Sequence, residues 1–208
     1  MPCGLLAIMP WRSPLAAPDQ TGPARVVSSD SESLILVDHH DRQIGTASKG
    51  DAHDGDGVLH RAFSVFLFDS AGRLLIQQRS DSKRLWPLYW ANSCCSHPRA
   101  GESMAVATRR RMEEELGVSA ELEFVYKFCY QANYLDLGSE HENCSVYVGE
   151  VDTDQLRPNP NEVASWRFLS PKEVDEFIAD PESRAAPWFR MEWQRLRAEF
   201  PDALPTDR

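Results

Sequence analysis

Three short segments contain most of the residue types in this chain that could perform chemistry. One places the thiol of Cys95 two residues before the imidazole of His97. The second holds His53 and His60, and the third is the run Glu140-His141-Glu142. Imidazole nitrogens and carboxylate oxygens together suit Mn²⁺, Zn²⁺ or Mg²⁺. A single histidine is more often structural or exposed, so it is the combination that favours a metal site. The spacings fit neither a zinc finger nor a zincin.

The paired acids Glu140 and Glu142 lie two residues apart at the entry to a predicted strand. Side chains at this spacing point to the same face of a strand, while His141 between them points to the other face. Like charges this close are costly unless a metal ion or a shared proton relieves them. An exposed acidic loop explains the pair equally well when it is considered alone.

A further carboxylate, Glu115, lies near the end of a helix predicted over Gly101–Leu116. It borders the face of that helix that should turn inward. A carboxylate aimed at a core needs a partner, and a divalent cation is the usual one. The alternative is that Glu113–Glu115 is an exposed charge run that balances Arg109–Arg111 at helical i,i+4 spacing.

Basic residues are scattered around a predicted hairpin in the first half of the chain, namely Lys49, Arg79, Lys83 and Arg84. On an acidic chain, cations near a metal site suit a phosphate or diphosphate, although each of them alone is more often an ordinary surface charge. Two aromatic residues, Tyr130 and Trp188, lie near the ends of predicted elements. They fit a core as well as they fit an aromatic face that stabilises a cation.

These segments must be positioned by a mixture of strands and helices. Strands are predicted over Ser33–Asp38, Ala62–Phe68, Leu74–Gln77, Glu123–Gln131, Cys144–Val151 and Glu162–Leu169. The turn Asp69-Ser70-Ala71-Gly72 predicts a hairpin. Helices are predicted over Gly101–Leu116, which Gly117 can cap, from Ser170 onward, and over Pro187–Glu199. One early helix and two late ones among strands favour an α/β sandwich on a mixed sheet.

Length and composition bound the function. The 208 residues suit one domain with appendages, which we place at residues 33–200. Proline-rich residues 1–32 are predicted to be a disordered tail and residues 201–208 a loose end. The net charge of -10 argues against a nucleic-acid or anionic-membrane surface. Five cysteines without a spaced framework, no run approaching ~18 apolar residues and no signal-like start favour a reduced, cytoplasmic protein.

The segment Ser96–Val118 resembles a degenerate Nudix box, the loop–helix metal motif of Nudix hydrolases. The matching positions are Glu102, Arg110, Glu114, Glu115 and Gly117. Ser96 stands where the box opens with glycine, and Arg111 stands where a glutamate should follow Arg110.

Over a longer stretch, from about Leu34 to Trp193, the chain resembles the type I isopentenyl-diphosphate Δ-isomerase family. The motifs that carry this resemblance are His53-x6-His60, Asn92-Ser93-x-Cys95-x-His97-Pro98-x-x-Gly101-Glu102, Glu140-x-Glu142 and Pro187-Trp188-Phe189. The resemblance implies a Nudix-like α/β/α sandwich around a mixed β-sheet. It also implies an enzyme of isoprenoid biosynthesis that interconverts isopentenyl and dimethylallyl diphosphate through a carbocation-like species.

The resemblance further implies a role for each candidate residue. Cys95 and Glu142 would be the acid and the base on opposite faces of a dry pocket. Tyr130 would assist protonation next to Glu142, and the π face of Trp188 would shelter the cation. The motif spacing to His97 selects Cys95, and not its neighbour Cys94, as the catalytic thiol.

Metal ions and a diphosphate complete what the resemblance implies. One Mn²⁺ or Zn²⁺ would be held by His53, His60, His97, Glu140 and Glu142. Glu115 would hold a Mg²⁺ that bridges to the substrate diphosphate, which Lys49, Arg79 and Lys83 would also bind. The expected partner is a small allylic or homoallylic diphosphate, with neither nucleic acid nor membrane, and the expected state is a monomer or weak dimer.

Two other functions compete with the isomerase. The first is a Nudix hydrolase of a nucleoside diphosphate derivative, against which Arg111, Cys95 and the pair His53 and His60 count. The second is a non-catalytic metal- or ligand-binding module of the same fold, against which the near-complete set of candidate catalytic groups counts. Release of phosphate or nucleotide would favour the first, and metal binding without turnover the second.

Overall fold

Strands with buried residues on both faces form the centre of the protein. A computed structural model describes residues 26–205. The strands are β1 (Ser33–Val37), β2 (Gln43–Ser48), β3 (His60–Phe68), β4 (Leu74–Arg79), β5 (Trp90–Ala91), β6 (Cys94–Ser96), β7 (Leu122–Tyr134), β8 (Gly138–Glu150) and β9 (Val163–Leu169). The helices are α1 (Lys49–His53), α2 (Met104–Leu116), α3 (Pro171–Ala179) and α4 (Pro187–Glu199). All of these strands belong to one sheet.

The sheet is mixed, because β3 and β8 run parallel while the other pairs are antiparallel. The parallel register begins with His60 opposite Glu142 and ends with Phe68 opposite Glu150. On its other side β3 pairs with β6, where Ser64 lies opposite Cys95. The central strand β3 therefore brings together residues that are far apart in the sequence.

Helices cover both faces of this sheet. Alternate residues of β3 point to opposite sides. Phe66 belongs to the core that α3 and α4 cover, and Val65 belongs to the core that α2 covers. Helix α2 begins after its N-cap Ser103 and ends at Gly117, whose positive φ of 69° suits glycine at a helix end. This arrangement is the predicted α/β/α sandwich around a mixed sheet, which is confirmed.

The predicted elements differ from the observed ones in two places that matter for function. The turn at Asp69–Gly72 joins β3 and β4, but these strands pair with each other only at Phe68 and Leu74. Most of β3 is buried on both faces, as expected of a strand inside a sheet, and it pairs with β6 and β8 instead. Strand β8 begins at Gly138 and not at Cys144, so the acidic pair lies within it.

Four further elements were not predicted, namely the five-residue helix α1 and the strands β2, β5 and β6. Of the predicted tail, residues 1–25 lie outside the described residues, as do residues 206–208 of the predicted C-terminal end. Pro201–Ala203 form a 3₁₀ turn, and the following Leu204 is buried against the core that α3 and α4 cover. None of the helices within residues 26–205 combines the length and the apolar character needed to span a membrane.

Candidate active site

Five buried side chains from four parts of the fold converge on one point. His53 ends α1, His60 opens β3, His97 follows β6, and Glu140 and Glu142 alternate along β8. One ligand-type atom from each residue lies within 4.8 Å of those of the others. The parallel register sets His60 beside Glu142, and the antiparallel pairing of β3 with β6 carries His97 to the same end of the sheet.

The backbone fixes which nitrogen of each of two imidazoles faces this cluster. His53 Nδ1 lies 2.6 Å from the carbonyl oxygen of Lys49, and His60 Nδ1 lies 2.7 Å from that of Val58. A carbonyl only accepts, so each Nδ1 carries a hydrogen and each Nε2 faces the cluster, where it presents a lone pair when the imidazole is neutral. Metal-binding histidines are oriented in this way by outer contacts.

His97 Nε2 lies at hydrogen-bonding distance, 2.9 Å, from Glu142 Oε1, but three other inward-facing atoms have no hydrogen-bond partner within the described residues. His53 Nε2 approaches Glu140 Oε2 to 2.7 Å, yet neither atom forms an aligned hydrogen bond within the described residues. His60 Nε2 likewise has no hydrogen-bond partner there and lies 3.8 Å from Glu142 Oε1. Buried polar atoms are rarely left so, because each costs about 1–3 kcal/mol. Three imidazole nitrogens and two carboxylates fit a divalent cation, so the residues are compatible with the predicted metal.

Burial sets the protonation of this cluster. It lowers the pKa of His60 to about 4 and that of His97 well below its usual value, so both imidazoles are neutral at pH 7. Burial and the charge of Glu140 raise the pKa of Glu142 well above its ordinary range. Burial also opposes ionisation of Glu140, but the neighbouring histidines, His53 foremost, outweigh it and lower its pKa. The two carboxylates of one strand therefore differ in their affinity for a proton.

The candidate acid–base residues lie next to this cluster. Tyr130 donates its phenolic hydrogen to Glu142 Oε2 at 2.7 Å. The Cys95 thiol donates to Asn92 Oδ1 at 2.8 Å and accepts a longer contact of 3.5 Å from the Ser64 hydroxyl. Burial raises the pKa values of Cys95 and Tyr130 well above their usual range, so both hold their protons at pH 7.

The two neighbouring cysteines lie on opposite sides of the sheet. Cys95 contacts the core that α3 and α4 cover, and it lines the cavity described below. Cys94 is completely buried in the core beneath α2 and does not line this cavity. The alternation of side chains along β6 separates the two thiols, so only Cys95 faces the site.

A cavity of about 420 Å³ connects the cluster to a cationic end. Its acid–base end is lined by Cys95, His97, Tyr130, Glu142 and Trp188. Its cationic end is lined by Lys49, Arg79, Lys83, Arg84 and Arg111. Of the predicted site residues only His60 and Glu115 lie behind the cavity wall. The arrangement suits an anionic head group at one end and proton transfer at the other.

An aromatic wall joins the two ends. Trp188 meets Trp86 edge-on with ring centroids 5.2 Å apart, and the Arg79 guanidinium lies 5.3 Å from the Trp188 ring centroid. Arg79 donates to the backbone carbonyls of Trp86 and Leu85, which fixes it in place. The indole ring of Trp188 gives this part of the cavity an apolar surface.

An ion-paired cluster underlies the cationic end. Arg111 pairs with Glu115 and also with Glu162, whose Oε2 it reaches at 3.0 Å, while Lys83 pairs with the same oxygen of Glu162. Gln77 donates to Glu115 Oε2 at 3.1 Å. Burial lowers the pKa of Arg111, but the two glutamates outweigh it and the pKa rises. Glu115 is thus buried, as the inward-facing prediction requires, but its partner in the structure is an arginine.

Two residues of this cluster were missed by the sequence reasoning, Arg111 and Glu162. Arg111 precedes Glu115 by one helical turn, so both lie on one face of α2. That spacing is compatible with an exposed charge run and with a buried pair, so it does not by itself predict the buried ion pair. Glu162 gives no comparable signal, because it lies just before β9 and meets Arg111 only in the folded chain.

Comparison with known proteins identifies the family. The NUDIX domain model matches residues 58–190. The Isopentenyl-diphosphate Delta-isomerase 1 of Photorhabdus laumondii is 47% identical over 83% of this chain and 99% of its own length. The Isopentenyl-diphosphate Delta-isomerase of Nocardia farcinica is 46% identical over 74% of this chain and 87% of its own length.

A solved structure supports the same assignment at the level of fold. A crystal structure of a protein from Deinococcus radiodurans matches with a TM-score of 0.64 and 25% identity, covering 79% of this chain and 98% of that one. The chain therefore belongs to the isopentenyl-diphosphate Delta-isomerase family of NUDIX domain proteins.

Proposed function

We propose that the chain interconverts isopentenyl and dimethylallyl diphosphate, and that the cavity is where it does so. One observation carries the assignment of the site. Two proton-holding groups, Glu142 and Cys95, line the same cavity as a cluster of cations suited to a diphosphate. The reaction moves a double bond, so it needs one group to add a proton to carbon and another to remove one.

Glu142 and Cys95 are the two groups in this proposal. In the direction of dimethylallyl diphosphate, the group that carries a proton adds it to the terminal alkene carbon, and the other group, which must be ionised, accepts the proton lost from C2. In the reverse direction their roles exchange. Burial and the charge of Glu140 raise the pKa of Glu142 and support a proton-holding carboxyl at this position, although the hydrogen bond that Tyr130 donates favours the ionised form.

Trp188 and the aromatic wall to which it belongs would protect the carbocation-like intermediate. Protonation of an unactivated alkene leaves a positive charge on a tertiary carbon, which water would capture. The buried indole of Trp188 lines the cavity, and its π face can stabilise a cation by about 0.5–2 kcal/mol. An apolar wall that keeps water away from the intermediate would suppress capture of the cation by water.

The His/Glu cluster is proposed to hold Mn²⁺ or Zn²⁺. The mixture of three imidazoles with two carboxylates suits these ions better than Mg²⁺, which prefers oxygen ligands only. When bound there, the ion would supply positive charge that fixes the ligating oxygen of Glu142 and tunes its acidity. His53, His60, His97, Glu140 and Glu142 are the proposed ligands.

The cationic end is proposed to bind the diphosphate through Lys49, Arg79 and Lys83, joined by Arg111. Burial, with the charges of Lys83 and Arg111, lowers the pKa of Lys49 to about 8, so an arriving anion relieves repulsion within the group. Glu115 is the proposed ligand of the Mg²⁺ that accompanies the diphosphate. Arg111 would then exchange part of its pairing with Glu115 for the substrate. A monomeric or weakly dimeric state and a cytoplasmic location stay predictions.

The test is incubation with isopentenyl diphosphate and Mg²⁺ in D₂O, followed by NMR. Dimethylallyl diphosphate with deuterium in its methyl groups is the expected product. Release of inorganic phosphate or diphosphate would mean that the chain is a hydrolase instead. We expect Cys95→Ala to abolish turnover and Cys94→Ala, its matched control on the other side of the sheet, to keep most of it. Equal losses in the two variants would refute the role given to Cys95.

A further inference from the structure

A third glutamate lies near the acid–base end and has no place in the scheme above. Glu192, on α4, is completely buried. Its Oε1 lies 3.5 Å from the Cys144 sulfur, and its Oε2 has no hydrogen-bond partner within the described residues. No ion pair with a lysine, arginine or histidine is found for it among residues 26–205. An apolar side chain of similar size would fill this space at lower cost, because an unpaired buried polar atom costs about 1–3 kcal/mol.

Ser64 connects this carboxyl to the candidate catalytic thiol. Its position on β3 is opposite Cys95 on β6. Its hydroxyl donates to the Cys95 sulfur at 3.5 Å and accepts from the Cys144 thiol at 3.5 Å. The Cys144 thiol lies 3.5 Å from both the Ser64 oxygen and Glu192 Oε1, so it bridges these two groups. The hydroxyl therefore stands between the carboxyl and Cys95.

The protonation of Glu192 decides the direction of these hydrogen bonds. Burial raises its pKa to about 8, although the hydrogen bonds with Ser64 and Cys144 oppose the rise. An ionised Glu192 would accept hydrogens from Ser64 and Cys144, whereas a neutral Glu192 can donate its own hydrogen and leave that of Ser64 uncommitted. Ser64 has one hydrogen, which is then free to point at the Cys95 sulfur. The hydrogen of Cys95 goes to Asn92, whose amide is anchored to the Val65 carbonyl at 3.1 Å.

We propose that Glu192 is a positioning residue that orients the Cys95 thiol through the Ser64 hydroxyl. The inference rests on the proposed function, because it needs Cys95 to act in the reaction. Glu192 does not line the cavity, so it acts without touching the substrate. The consequence is that loss of Glu192 slows turnover and leaves substrate binding intact.

Turnover of four variants tests this role. Glu192→Leu is expected to lower kcat at least 10-fold with KM changed less than 2-fold, and Glu192→Gln, which can still donate and accept, to keep at least a third of kcat. Ser64→Ala is expected to match the loss of Glu192→Leu, and the double variant to lose no more than either single one. Additive losses, a rise in KM, or wild-type kcat in Glu192→Leu would overturn the proposal. If Glu192→Leu does not fold, Glu192→Met is measured in its place, with the same expected loss.

A second measurement is independent of turnover. Iodoacetamide modifies Cys95 at a rate that depends on the orientation and environment of the thiol, and mass spectrometry in a Cys94→Ala background follows it. A change of at least 3-fold is expected in both Glu192→Leu and Ser64→Ala, and an unchanged rate in either would overturn the inference. Tyr126→Phe is the control, since its hydroxyl donates to the backbone carbonyl of Glu192 at 3.1 Å and not to its side chain. If the wild-type protein produced no dimethylallyl diphosphate while the rates of Cys95 modification still changed, the proposed function would fail. The inferred link from Glu192 through Ser64 to Cys95 would stand.

Discussion

The two ends of one cavity bury pairs of glutamates in different ways. At the cationic end, Glu115 and Glu162 are paired with the permanent charge of Arg111, and Glu162 also with Lys83. At the acid–base end, Glu140 and Glu142 face imidazoles, of which His60 and His97 are kept neutral by burial. Both pairs are almost inaccessible to water.

The difference shows what each end is built to receive. At the cationic end, arginine and lysine side chains of the protein itself neutralise the buried glutamates. The positive charges of this end can also bind an anion. The acid–base end has lone pairs that face one another, and its balance depends on a positive charge from outside, either a proton or a metal ion. Removing a glutamate should therefore weaken metal binding at the acid–base end and leave metal binding intact at the cationic end.

The largest effect is expected from Glu140→Gln. Loss of one carboxylate from the His/Glu cluster removes both charge and a ligand, so bound Mn²⁺ or Zn²⁺ should fall to a small fraction and turnover about a thousandfold or more. Elemental analysis after dialysis measures the metal, and the NMR assay measures turnover. Glu162→Gln, the matched change at the cationic end, should retain its metal. Full metal content in Glu140→Gln would show that the two ends do not differ in this way.

Arg111→Met should have the next largest effect, on stability. It leaves Glu115 and Glu162 buried without their main cation, which typically costs about 3–5 kcal/mol. Urea denaturation measures the free energy of unfolding. The control is Arg197→Met, which removes an exposed pair with Asp175 and should cost no more than about 1 kcal/mol. Similar losses in both variants would mean that the buried cluster is not held together by Arg111.

A smaller effect is expected from Arg79→Lys, at the junction of the two ends. Lysine keeps the charge but loses the planar fork that is anchored to the Trp86 and Leu85 carbonyls. We expect KM to rise about 10-fold, which corresponds to about 1.4 kcal/mol, with metal content unchanged. Steady-state kinetics with elemental analysis checks this. A loss of metal in Arg79→Lys would mean that metal binding at the acid–base end depends on Arg79, which would contradict the separation of the two ends.

The sequence predicted the elements that have a strong local signal. Helix α4 has the bounds expected from its spacing and its N-terminal proline, and α2 ends at the glycine predicted to cap it. Strand β8 was placed too late because its first residues are polar, and polarity in a strand usually indicates exposure. Here Glu140 and Glu142 are polar and buried, and their function explains why the pattern fails.

What the sequence did not predict depends on contacts between distant segments. The parallel pairing of β3 with β8, which sets His60 opposite Glu142, has no local signal. The same holds for the approach of Glu162 to Arg111. The residues of the His/Glu cluster were nominated by their types and by a family resemblance, whereas their convergence within 4.8 Å required the fold.

Glu192 sharpens the comparison, because it is a buried glutamate with neither a cation nor an imidazole as its partner. Its pKa is raised to about 8 in the folded protein from an ordinary value of 4.5. Between these values the folded state binds more protons than the unfolded state, so Glu192 lowers stability as the pH rises, by at most about 1.4 kcal/mol per pH unit. Its contribution is fully present below pH 4.5 and lost as the pH passes 8.

Glu192→Leu removes this titration and leaves the others in place. As the pH rises from 5.5 to 7.5, the free energy of unfolding of the variant should therefore increase relative to that of the wild type. This window lies between the two pKa values. Urea denaturation at several pH values measures the difference, and Glu192→Gln should show the same pH dependence as the leucine variant. Parallel pH profiles for wild type and Glu192→Leu would mean that Glu192 is ionised when folded. It would then need a buried counter-charge like those of the other two pairs, and the contrast among the three would disappear.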